Sequence, residues 1–150
     1  MSAAFFDILR VADRLLEKAP GFAHVGVAAS IDDIEAQINF RTPGAYVILP
    51  REEAAEAPKT PNTIAVTARF SVAIVVFRPR ERALAQDLPT ELVALIHQCR
   101  AALAGWVAPS PEQKATMILF ESGGVERDND ATLTWLETYR TTHALLKTGG

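Results

Sequence analysis

The chain has 150 residues and a mass of 16.3 kDa, close to the usual size of one domain, so two independent cores are not expected and residues 1–150 read as a single unit. Hydrophobic residues make up 49% and charged residues 22%, which excludes wholesale disorder, and 15 Lys+Arg against 18 Asp+Glu leave a net charge of −3, unsuited to a general phosphate-backbone binder. The single cysteine, Cys99, cannot form an internal disulfide, and the start of the chain lacks a basic segment followed by an apolar run. Synthesis and residence in a reducing cytosol are expected. The longest apolar run, Val72 to Phe77, is far short of the roughly 20 residues that span a bilayer, so no membrane role is expected.

Phe5, Ile8, Leu9, Ala12, Leu15 and Leu16 recur at three- and four-residue spacing with charges mostly opposite, which predicts an amphipathic helix over residues 3–18. Ala19-Pro20-Gly21 ends it. Phe22 to Ala29 is short and apolar. Ser30 then stands where it can cap one turn of helix, with Asp32 and Asp33 near its N-terminal dipole. Ala45 to Leu49, bounded by Pro43-Gly44 and Pro50, reads as a strand.

Residues 50–62 hold three prolines and five charges but no large apolar side chain, which predicts a long exposed loop that orders on contact with a partner. Arg51, Glu52, Glu53 and Lys59 are its candidate contact residues. Asn62 to Phe77 alternates strictly: Ile64, Val66, Ala68, Phe70, Val72, Ile74 and Val76 share one face. Ala73, Val75 and Phe77 make the other face apolar too, so this half of the strand should be covered on both sides by helices or another subunit.

Leu92, Leu95, Ile96, Cys99, Ala102 and Leu103 predict a second long helix, capped by Asp87 or Thr90 and stopped at Gly105. Ala115 to Glu121 and Ala131 to Leu146 read as an antiparallel pair, with Ser122-Gly123-Gly124 starting the turn between them. On the last strand Leu133, Trp135, Tyr139 and Leu145 share a face. The expected class is α+β: a mostly antiparallel four-stranded sheet packed with two main α-helices.

Signals for chemistry are lacking. His24, His97 and His143 fall on three different elements, which does not suit a metal site, and Cys99 sits among core positions of a helix. No phosphate-binding glycine loop, dinucleotide fingerprint or nucleophile elbow is present. Neither a cofactor nor catalysis is expected.

Ala45-Tyr46-Val47-Ile48-Leu49-Pro50 followed by a charged loop, Phe70-Ser71-Val72-Ala73-Ile74-Val75-Val76 followed by Arg78, and Leu103-Ala104-Gly105-Trp106 with prolines after it occur in order. Leu119-Phe120-Glu121-Ser122-Gly123-Gly124 and Leu133-Thr134-Trp135-Leu136-Glu137-Thr138-Tyr139-Arg140-Thr141 follow. In this order and spacing the chain resembles the tail-terminator proteins of tailed bacteriophages over residues 3–146. The resemblance implies a non-enzymatic virion protein at the head-proximal end of the tail. It also implies a homo-oligomer, a hexameric ring, on the last ring of tail tube protein, which ends tube growth and meets head-completion or neck proteins. DNA would pass through such a ring without sequence-specific binding, so acids such as Asp32, Asp33, Glu126, Asp128 and Asp130 are candidates for its lining. The alternatives are another phage neck or minor tail component, or a small ligand-binding α+β domain.

Overall fold

The computed structural model describes residues 7–35, 42–54, 63–77, 88–108, 116–128 and 132–146. In chain order the elements are α1 (Ile8–Lys18), β1 (His24–Ala28), α2 (Ile31–Glu35), β2 (Gly44–Ala54), β3 (Thr63–Phe77), α3 (Thr90–Leu103), β4 (Leu119–Asp128) and β5 (Thr132–Leu146). The class is α+β, as expected, but the sheet has five strands, in the order β1-β2-β3-β5-β4, and is mixed because β1 runs parallel to β2. All other pairings are antiparallel. The fifth strand is β1, and α2 adds a short third helix.

One sheet face carries the main core. Even-numbered residues of β3, from Ala68 to Val76, pack with Val11 and Leu15 of α1 and with Leu92, Leu95, Cys99 and Leu103 of α3. Alternation in the strand and three- to four-residue spacing in the helices deliver these side chains to one layer. Odd-numbered Ala73 and Val75 face the other way, where Ile34 of α2 covers them together with Tyr46 and Ala28. The two-sided burial expected of β3 is therefore real, except that Phe77 at its end is exposed.

Helix ends follow local chemistry. Asp7 caps α1 by accepting from the Leu9 N–H at 2.9 Å, and the Ala19 N–H closes the last turn on the Leu15 carbonyl at 2.8 Å. The expected start of this helix, residues 3–6, lies outside the described residues. Ser30 Oγ accepts from the Asp33 N–H at 3.2 Å, the expected cap of α2. For α3 the expectation fails: Thr90 is already helical and Pro89 is the cap position, with no side-chain hydrogen bond, while Asp87 lies outside the described residues. Proline presets a turn into the first helical residues, and the Val93 N–H bonds the Pro89 carbonyl at 3.1 Å. At the other end Gly105 adopts φ +83°, the left-handed conformation that stops a helix, and its N–H bonds the Ile118 carbonyl at 2.7 Å.

Two strand boundaries differ from expectation. β2 does not stop at Pro50: the ladder to β3 shifts register between Ile48 and Arg51 and then continues from Arg51↔Arg69 to Ala54↔Val66. The irregularity takes in the proline, which lacks a ladder donor, so residues 50–54 are strand rather than loop. Residues 55–62 lie outside the described residues. β4 likewise runs through Ser122-Gly123-Gly124 instead of turning there, with register shifts between Phe120 and Ser122 and between Val125 and Arg127.

Candidate assembly surface

β4 forms one edge of the sheet and β1 the other, and among the described residues neither outer edge is paired. Edge strands offer a row of unpaired backbone donors and acceptors. Along β4, Phe120 is 41% and Val125 49% exposed, and both point to the face that carries α1 and α3, because their partners Tyr139 and Trp135 do. Gly123 lies between them.

Beneath Gly123 sits a half-buried ion pair. Glu137 of β5 is fully buried and accepts from Arg100 of α3 at 2.7 Å through Nε and 3.4 Å through Nη2. Burial raises the Glu137 carboxyl above its ordinary value, opposed by the Arg100 hydrogen bond and charge and by Trp135. The Arg100 guanidinium also lies 4.2 Å from the centre of the Phe120 ring, so one cation holds the edge strand to the helix. A Cβ on Gly123 would come within 3.0 to 3.2 Å of Trp135, Glu137 and Arg100, whereas one on Gly124 would meet nothing within 4 Å. Gly123→Ala should therefore cost about 1 to 3 kcal/mol by overpacking. Gly124→Ala should stay within about 0.5 kcal/mol of the parent. Thermal melts of the two variants check this, and equal melting would refute the close approach at Gly123.

Behind the pair, Cys99 Sγ and Tyr139 Oη share a 3.4 Å hydrogen bond. Burial pushes the Cys99 thiol up to about 12 and raises the Tyr139 phenol as well, so Cys99 is a neutral core side chain, as its helical position suggested. Among the described residues no three His, Cys, Asp or Glu side chains converge to hold a metal.

The four candidate contact residues do not act alike. Arg51 and Glu53 project from β2 and form a 3.5 Å ion pair at the surface, the kind that contributes little. Glu52 turns inward and meets Nε2 of buried His143 at 3.0 Å, so it holds β2 to β5. Lys59 lies outside the described residues. Of the acids, Asp32 on α2 bridges to Arg127 on β4 at 2.5 Å, which brings these two acidic elements together. Asp33 accepts from the Ala29 N–H at 3.2 Å. Asp130 lies outside the described residues.

Sequence reasoning missed Arg100, Glu137, Phe120, Val125 and the β1 edge. One signal was present: Glu137 falls in period two with Leu133, Trp135 and Tyr139, a charge inside an apolar face.

The sheet is mixed and five-stranded with helices on both faces, and the Arg100–Glu137 ion pair lies under its β4 edge. The chain belongs to the phage tail terminator protein family, whose match spans residues 1–148. It is thus a structural protein of a phage tail. A chain in the virion of a native gene transfer agent particle has a similar fold, with a TM-score of 0.58 at 16% identity, over 89% of this chain and 91% of that one. No curated protein matches the sequence.

Proposed function

We propose that the protein closes as a ring of six on the end of the tail tube, halts tube growth there and offers its other face to head-completion proteins, with no chemistry of its own. The family match over residues 1–148 carries this reading. Two features of the subunit support it. A closed ring needs a heterologous contact, in which one patch meets a different patch on the next copy, and the two sheet edges differ in length and sequence. In addition, the segment after β2 is polar and proline-rich, with little apolar surface of its own to bury and polar groups to offer a partner. Arg51 and Glu53 on β2, with Lys59 beyond it, are the contact residues we assign, and the acids on α2 and β4 are our candidates for the opening. Six chains of −3 carry −18 in formal charge, which disfavours holding DNA phosphates.

Light scattering on the purified protein, alone and mixed with tail tubes, tests the reading. A mass of roughly 98 kDa, six times 16.3 kDa, is expected in solution or on tube ends. Replacing residues 55–62 with a short Gly-Ser turn should leave the melt unchanged and impair tube capping. A protein that stays monomeric and neither caps tubes nor limits their length overturns the proposal.

A further inference from the structure

We propose that neighbouring copies join edge to edge, the β4 strand of one chain adding to the β1 strand of the next, so that the ring is one continuous closed sheet. This rests on the ring reading above and names its contact. Strand sense fits: β1 is parallel to β2, and the β2–β3, β3–β5 and β5–β4 pairings are each antiparallel, so β1 and β4 run in opposite senses. A rotation that carries one copy to the next without inverting the sheet then sets them antiparallel, the more stable pairing. The two register shifts of β4 leave Ser122, Gly123, Gly124 and Val125 as its regular stretch, and setting Val125 opposite Val27 puts Gly124 opposite Ala28 at the end of β1.

Side chains agree with this seam. Val27, 39% exposed, is opposite Val47 on the sheet face that carries the main core, and Val125, 49% exposed, is on that same face. Joining β4 to β1 brings these two valines side by side and removes both from water. Neither stretch has the lysine or proline that guards edges against pairing with another chain. Within one subunit the two edges are four strand spacings apart, about 19 Å, so Val27 and Val125 of one chain cannot meet. Six copies would close thirty strands, five from each, a circumference of roughly 140 Å if the strands followed the ring axis.

Two sets of variants test the seam, in rings formed in solution or on tail tubes. Val27→Glu and Val125→Lys should each reduce ring formation at least tenfold without changing the subunit melt, because both sites are exposed. The double variant V27E/V125K should restore it, since the new charges can meet only between copies. Val27→Cys with Val125→Cys, oxidised, should give a ladder of linked chains up to six on a denaturing gel, and neither single variant should. Rings that form normally in both charge variants and yield no ladder overturn the seam and leave the ring standing. Parent protein that forms no ring, alone or on tubes, overturns both.

Discussion

Phe70→Ala should lower the unfolding free energy by about 3 to 5 kcal/mol, the usual cost of deleting a fully buried phenylalanine ring. Phe70 is 1% exposed, lies at the centre of β3 and stacks on Tyr139 with ring centres 5.6 Å apart, so its removal opens a cavity between the sheet and the helices. Its neighbour Ser71 points to the opposite face and shares a 3.1 Å hydrogen bond with Thr138. Ser71→Ala should cost about 1 kcal/mol, one net hydrogen bond. Urea unfolding of the two variants separates them by midpoint, and indistinguishable midpoints would mean that the faces of β3 are assigned the wrong way round.

Arg100→Met should be nearly as damaging, and its cost should depend on pH. Removing the cation leaves the Glu137 carboxylate buried without its partner, a loss of about 3 to 5 kcal/mol at neutral pH, although the methionine keeps much of the packing. Burial already raises the folded-state value of Glu137, and loss of Arg100 raises it further. A carboxyl whose value is raised by folding favours the native state most below its unfolded value, and that favour is lost as pH rises through the folded value. The variant should therefore regain stability relative to the parent as pH falls from 7 toward 5. Denaturant unfolding at both values checks the sign: a deficit that stays constant would show that Glu137 is not the uncompensated charge. Glu137→Gln in the Arg100→Met background should remove the pH dependence.

Where burial was strong and one-sided, the amino-acid pattern was legible. The even positions of β3, the apolar stripes of α1 and α3, the Ser30 cap and the stop at Gly105 each follow from a single local rule, and the structure places them accordingly. β1 gave a weak pattern because it is five residues long, includes Gly26 and hides only Ala28 fully, so neither face shows alternation. β4 was legible only in part, as a strand ending at Glu121: no residue of it is buried, and a glycine pair in polar sequence carries the same signature as a turn. Pro50 suggested an end because the local rule forbids proline in a regular ladder, and the register shift that admits it is a property of the pair of strands.

The surface was harder to read because its groups meet only through tertiary structure. Arg100 and Glu137 are 37 residues apart, and Asp32 and Arg127 are 95 apart. Glu52 shows the cost of reading a loop by composition. In a charged run it resembled its neighbours, yet strand alternation turns it toward His143 and leaves Arg51 and Glu53 outside. Resemblance reached the tail-terminator family through the order of segments that are each unremarkable alone, and the family match over residues 1–148 bears that out.

The central pairing of the sheet joins distant parts of the chain: Phe77 meets Thr132 and Thr63 meets Leu146, with α3 and β4 lying between them in sequence. On a ribosome, β3 therefore emerges long before the strand that completes it, and its Phe70, Val72 and Ile74 wait for Tyr139 and Leu133. Folding that depends on such late contacts is slow, because a long loop must close before any of its contacts form. β4 pairs its backbone with the rest of the sheet through β5, so a chain that has not yet made β5 has no finished edge there. The complete sheet thus arrives only with the last strand, and fragments ending earlier lack the strand that carries β4.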